Sequence, residues 1–150
     1  MGHIRTASHF DAPVERVFDV AVDLKLIPRY MRSVKDVTDL HGAPETVGST
    51  YRFHSTGLGQ TMAGTIEVVD VKRPTLFKTL TTYDNGMRVT WTQRMSAAGS
   101  GTDEVDEVDY ELPSGPAALL GPLVRRQLER AMRESVEAYT ELIMRDPSPT

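Results

Sequence analysis

The sequence predicts an α+β domain in which an amphipathic C-terminal helix lies across an antiparallel sheet. Three observations carry this. From about residue 34 to residue 112 the chain reads as short alternating segments divided by Gly, Pro and Asn-Gly punctuation, the pattern of strands joined by turns. After Pro122 the spacing changes to that of a helix with one apolar stripe. The length of 150 residues suits one domain and allows a core without staples.

Taken in order, residues His3 to Phe10 place Ile4, Thr6, Ser8 and Phe10 on one face of a first strand. Asp11-Ala12-Pro13 then starts a helix, with proline at the first helical position. Val14, Val17, Phe18 and Ala21 follow at helical spacing, and a second short helix runs from about Leu24 to Met31, interrupted by Pro28. Six further strands are expected at Val34–Leu40, Thr50–Ser55, Thr61–Val71, Leu76–Tyr83, Met87–Ser96 and Thr102–Leu112.

The last two strands can be registered from their own chemistry. With Ala97 opposite Thr102, Met95 faces Glu104, Gln93 faces Asp106, Trp91 faces Val108, Val89 faces Tyr110 and Met87 faces Leu112. The other face then sets Arg88 against Glu111 and Arg94 between Asp103 and Glu107, and a one-residue slip would spoil both faces. The turn before them is open to two readings. A two-residue Asn85-Gly86 loop points Leu76, Lys78, Leu80 and Thr82 inward. A three-residue loop with Gly86 in the left-handed position points Phe77, Thr79, Thr81 and Tyr83 inward, and is favoured because it keeps Lys78 in solvent.

Pro116–Leu120 is expected to form a first turn and Pro122 to start or kink the main helix. Val124, Leu128, Ala131, Met132, Ser135, Tyr139 and Leu142 make its apolar stripe, with Arg126, Arg130, Arg133, Glu137 and Glu141 opposite. At ~1.5 Å per residue the helix spans ~33 Å, enough to cross a small sheet. The arginines, interspersed with Glu129 and Glu134, read as a solvated face with local ion pairs. The last five residues, Asp146 to Thr150, carry two prolines and read as a disordered tail to a domain spanning 1–145.

Composition excludes several kinds of function. There is no cysteine, so disulfides, thiolate metal sites and cysteine nucleophiles are out. A net charge of −4 is the wrong balance for a general nucleic-acid binder. The absence of an apolar run in Met1 to Ala12, and of any stretch near ~20 apolar residues, leads to the expectation of a cytoplasmic protein with no membrane span. His3, His9, His41 and His54 lie on separate segments without metal-ligand spacing, so neither metal nor cofactor is expected. His54 should point away from Tyr51 and Phe53, into solvent. No nucleophile elbow, phosphate loop or dinucleotide fingerprint is present.

Several local phrases then carry a resemblance. Asp11-Ala12-Pro13-Val14-Glu15-Arg16-Val17-Phe18 resembles the opening of the START-like (SRPBCC) superfamily. Asp23 to Met31, with Pro28 and Tyr30, resembles its next short helix. Val47-Gly48-Ser49-Thr50-Tyr51 resembles the start of its third strand, and Gly101-Thr102 with Tyr110-Glu111-Leu112-Pro113 the ends of its last. The resemblance covers nearly the whole chain. It implies a helix-grip fold, a curved seven-stranded antiparallel sheet wrapped around a long C-terminal helix with a cavity between them. Members bind lipids, sterols, hormones and polyketides, and bacterial ones are often labelled polyketide cyclase/dehydrase. No motif specific to the characterised aromatase/cyclases is found, so no catalytic residue is carried over.

On that fold the expected ligand-binding residues are Tyr51, Phe53, Phe77, Trp91, Gln93, Asp106, Tyr110, Leu128, Met132, Ser135 and Tyr139. Gln93, Glu104 and Asp106 are the most informative. On one reading they form a polar end to a cavity, where burial raises a carboxyl pKa and suits it to proton transfer. On the other, this end of the hairpin lies beyond the core, or a bulge turns it outward, and both carboxylates are solvated. Ser135 is expected to bond back to the preceding helical turn. Gly57-Leu58-Gly59 reads as a turn at the cavity mouth, placed to act as a lid. The first expectation for function is binding of a small, mainly hydrophobic molecule, by a monomer or homodimer. The second is an enzyme of the polyketide cyclase/dehydrase type, with Glu104, Asp106 or Tyr83 moving protons. The third is a protein-interaction module with a vestigial cavity.

Overall fold

The computed structural model describes residues 2–57, 59–113 and 115–145. Seven strands form one antiparallel sheet: β1 (Gly2–Phe10), β2 (Val34–His41), β3 (Thr50–Gly57), β4 (Gln60–Lys72), β5 (Leu76–Tyr83), β6 (Arg88–Ala98) and β7 (Gly101–Glu111). Their order across the sheet is β1-β7-β6-β5-β4-β3-β2, so the first strand closes against the last and every other pair is sequential. Helix α1 (Val14–Val22), a 3₁₀ turn at Leu24–Leu26 and helix α2 (Ile27–Tyr30) connect β1 to β2. A 3₁₀ segment at Gly115–Leu120 leads into the long helix α3 (Gly121–Arg145). This is the helix-grip α+β fold. The tail at 146–150 and part of the Gly57-Leu58-Gly59 turn lie outside the described residues.

The register of β6 and β7 is the one their side chains dictate: Val89 opposite Tyr110, Trp91 opposite Val108, Gln93 opposite Asp106, Met95 opposite Glu104 and Ala97 opposite Thr102. On the outer face Arg88 lies opposite Glu111, and Arg94 Nε reaches Glu107 Oε1 at 3.4 Å. Irregularities in β2 at Val34/Asp36 and Thr38/His41, and in β4 at Val68/Asp70, insert extra residues that bend strands and strengthen twist. The sheet is thereby curved around the space that α3 enters.

Pro13 stands one position earlier than expected, as the residue before α1, where its carbonyl accepts the amides of Arg16 and Val17. α1 buries Val17, Phe18, Val20 and Ala21 against the sheet. At its start, Arg16 donates through Nη2 to the Leu142 carbonyl at 3.0 Å and through Nε to that of Ile143 at 3.2 Å. These are carbonyls of the last turn of α3, so Arg16 ties the end of α3 to α1. Arg73 performs a similar service on the other side. Its guanidinium pairs with both carboxylate oxygens of Glu45 at 2.7 Å, meets Asp19 at 2.9 Å and lies 4.7 Å from the centre of the Phe18 ring. The polar face of α3 is exposed, with Arg130 to Glu134 at 3.0 Å as one of its local ion pairs. No described helix is long and apolar enough to cross a membrane.

Candidate functional site

The inner face of the sheet, the short helices and α3 do not fill the space between them. A cavity of about 360 Å³ remains, within the range of small-molecule sites. The turn at Tyr83–Met87 decides much of its wall. Gly86 has φ +97° and donates its amide to the Tyr83 carbonyl, while the Tyr83 amide bonds to Met87. This is the three-residue loop, and it turns Phe77, Thr79, Thr81 and Tyr83 into the cavity while leaving Lys78 on the outer face. Phe53 meets Tyr83 edge-to-face, ring centres 5.2 Å apart. From the opposite side α3 contributes Leu128, Met132, Ser135 and Tyr139. The Ser135 hydroxyl donates to the Ala131 carbonyl at 2.6 Å, which satisfies it within the helix and leaves a nearly apolar wall.

One end of the cavity is polar. Glu104 and Asp106 alternate with outward residues on β7 and so share its inner face, with Gln93 and Trp91 beside them on β6. Trp91 Nε1 donates to Asp106 Oδ2 at 3.0 Å, and Gln93 Nε2 donates to Glu104 Oε2 at 3.3 Å. The carboxyls are therefore not solvated: Glu104 is only 4% exposed. The reading of this hairpin end as lying beyond the core fails because Tyr30 of α2 and Tyr139 of α3 close over it. Their rings stand edge-to-face with centres 5.1 Å apart. Each carboxyl keeps one buried oxygen, Glu104 Oε1 and Asp106 Oδ1, with no hydrogen bond to another donor among the described residues.

Burial pushes the Glu104 carboxyl well above the usual carboxylate range, and its hydrogen bond and repulsion with Asp106 push it the same way; Gln93 opposes them. Burial also raises Asp106, against hydrogen bonds from Glu104 and Trp91. The result is a pair that shares a proton, with the stronger push toward the neutral form on Glu104. Burial, then the charge of Glu104, also pushes the Tyr139 and Tyr30 hydroxyls up, so both phenols stay neutral donors. Tyr139 spends its proton on the Val17 carbonyl at 3.2 Å. No Lys, Arg or His lines the cavity among the described residues. Nor do three of the described His, Asp and Glu residues gather as a metal ion would require. On the outer face His54 Nδ1 pairs with Asp36 Oδ1 at 2.8 Å, while His3 lies between Glu107 and Asp109 and His9 between Asp11 and Asp103.

Of the residues expected from sequence, Phe53, Phe77, Tyr83, Trp91, Gln93, Glu104, Asp106, Leu128, Met132, Ser135 and Tyr139 all line the cavity. Tyr51 and Tyr110 do not. Tyr51 faces inward but is buried in the core near Asp23, whose charge adds to burial in raising its hydroxyl. Tyr110 turns sideways toward the sheet edge, and its ring occupies the space that a side chain at Gly2 would need. Sequence reasoning missed Tyr30 as a wall of the polar end. Its spacing of three from the buried Ile27 was the available signal, since the two share a helix face.

Comparison with known proteins places these features in context. The family model described as polyketide cyclase / dehydrase and lipid transport matches residues 1–143. No curated protein sequence matches the chain. Among solved structures, the TTHA0849 protein of Thermus thermophilus is similar with a TM-score of 0.81 at 21% identity, over 98% of this chain and 100% of that one. The Zhui aromatase/cyclase of a Streptomyces species is similar with a TM-score of 0.79 at 14% identity, over 99% and 96%. The Ms6760 protein of Mycobacterium smegmatis has a TM-score of 0.70 at 18% identity, over 99% and 91%. At these identities the structural likenesses speak for the fold.

Proposed function

Because the chain belongs to the polyketide cyclase/dehydrase and lipid transport family, we propose that it binds a small, mainly hydrophobic molecule in the cavity between sheet and α3. The observation that carries this reading is the unfilled space of about 360 Å³ itself, walled by aromatic and aliphatic side chains and polar at one end. Apolar walls contribute affinity in proportion to the area they bury, ~25 cal/mol per Å², and the few polar groups orient the guest. A dense interior would instead have suited a module that works only through its surface.

The test is a titration with the neutral fluorophore N-phenyl-1-naphthylamine. Saturable binding at one site is expected. Met132→Trp should weaken it at least about tenfold by occupying the cavity, whereas Arg130→Trp, on the exposed face of α3, should not. Equal binding by both variants would refute the cavity as the site.

The pair Glu104/Asp106 favours a second reading, an enzyme of the cyclase/dehydrase type. A protonated carboxyl beside a proton-accepting one can give a proton to a substrate carbonyl or take one from an adjacent carbon, while the cavity holds a flexible substrate folded. The Zhui aromatase/cyclase shares the fold. On this reading Asp106→Asn abolishes turnover of a poly-β-ketone thioester without loosening its binding. Unchanged turnover in Asp106→Asn would dismiss the pair as the proton-transfer device.

A further inference from the structure

Two buried carboxyls in an apolar cavity make an uncommon polar end, and their surroundings narrow what can satisfy them. Glu104 Oε1 and Asp106 Oδ1 are buried and take no hydrogen bond from a Trp, Gln or backbone donor among the described residues. Four donors nearby are already engaged, Trp91 with Asp106 Oδ2, Gln93 with Glu104 Oε2, Tyr139 with Val17 and Ser135 with Ala131, which leaves the neutral Tyr30 hydroxyl at this end. The cavity wall supplies no cation among the described residues. The two carboxyls share one proton between them, and no positive charge stands among the described lining residues to balance the second.

The rings around the carboxyls point the same way. Trp91 touches Asp106 through its indole N–H, and Tyr30 and Tyr139 feel the charge of both Glu104 and Asp106. Aromatic faces attract cations and offer nothing to anions. A carboxylate or phosphate arriving here would meet like charge across a medium of low dielectric, with no cation among the described lining residues to receive it.

We infer that the polar end of the cavity selects amphipathic ligands headed by a protonated amine and rejects fatty acids and other carboxylate-headed molecules. This rests on the reading of the cavity as a ligand site and names the ligand class that the site takes. The ammonium donates to Glu104 Oε1 and Asp106 Oδ1, while its hydrocarbon portion runs along Phe53, Phe77 and Met132. The proton that the two carboxyls share is given up to solvent as the cation takes its place.

The experiment is displacement of N-phenyl-1-naphthylamine by three molecules with one chain and different heads: octylamine, 1-octanol and octanoate, at pH 8. Octylamine should bind about tenfold or more tighter than octanol, the margin of a charge-assisted hydrogen bond, and octanoate at least about tenfold weaker than octanol. In the double variant Glu104→Gln, Asp106→Asn, the advantage of the amine over octanol should shrink to about twofold or less. Octanoate matching octylamine, or an amine advantage that survives in the double variant, would overturn the inference while leaving a ligand cavity in place. Failure of all three, octanol included, to displace the fluorophore would overturn the cavity reading together with the inference.

Discussion

Replacing Glu104 by glutamine should stabilise the protein, and by an amount that depends on pH in a defined direction. Glu104 is buried, and its folded-state pKa lies well above the ordinary range of a glutamate, chiefly through burial and then through Asp106. At pH values below the unfolded pKa, Glu104 is protonated in both states and costs nothing. As pH rises above that value, the unfolded chain loses the proton first while the fold holds it, so stability falls until the folded group also ionises. Glutamine cannot ionise, and its amide can donate to Asp106 where the carboxyl proton did. The variant should match the wild type near pH 4.5 and exceed it at pH 8 by about 1–3 kcal/mol, the usual cost of a buried polar group without compensation. That corresponds to roughly 2–10 °C in Tm for a domain of this size. Urea melts of both proteins at several pH values between 4.5 and 8 measure the difference. Contributions from groups that do not touch position 104 cancel, including His9, whose pKa is raised by Asp103 and whose stabilising effect fades as pH rises. A difference that stays flat across this range, or a variant that is less stable at pH 8, would refute the description of Glu104 as a carboxyl buried against its ionisation.

Arg16→Ala removes two donors from the last carbonyls of α3 and should cost about 1–3 kcal/mol, with faster hydrogen exchange at residues 139–143 as the local readout. Gly64→Ala should cost about 1–3 kcal/mol or prevent folding, since its Cβ would stand 2.5 Å from the Thr82 carbonyl oxygen and 2.9 Å from the Tyr83 Cα, both backbone atoms; a denaturation midpoint unchanged from wild type would contradict that packing. Arg73→Lys, compared with wild type in thermal melts, should lose about 1 kcal/mol because a lysine cannot bridge both Glu45 oxygens, reach Asp19 and stack on Phe18 together.

The sequence made some parts of this molecule legible and hid others for physical reasons. The β6–β7 register could be read because two independent patterns, apolar pairing on one face and charge pairing on the other, allow only one alignment. The inward face of β5 was decided by one glycine, since Gly86 alone can take the left-handed backbone that the three-residue loop needs. The wall formed by α3 followed from helical spacing, which placed Met132, Ser135 and Tyr139 inside and Arg126, Arg130 and Arg133 outside. What could not be read locally was whether Glu104 and Asp106 meet water. That depends on Tyr30 and Tyr139, which come from opposite ends of the chain and close over β7 only in the folded state. Tyr51 and Tyr110 show the same limit from the other side. Strand alternation correctly pointed both inward, yet lateral neighbours, the core near Asp23 and the bare Gly2, drew their rings away from the cavity.

Methionine methyl groups report most directly on the central claim that the space beneath α3 takes up a ligand. Met31, Met62, Met87 and Met132 line the cavity, whereas Met95 is buried apart from its wall and Met144 is exposed. In a ¹³C-methyl methionine spectrum titrated with 1-octanol, the account predicts that the resonances of the four lining residues shift together and saturate at one concentration, with Met144 unmoved. A titration in which those four stay still, or in which Met144 shifts alone, would contradict it.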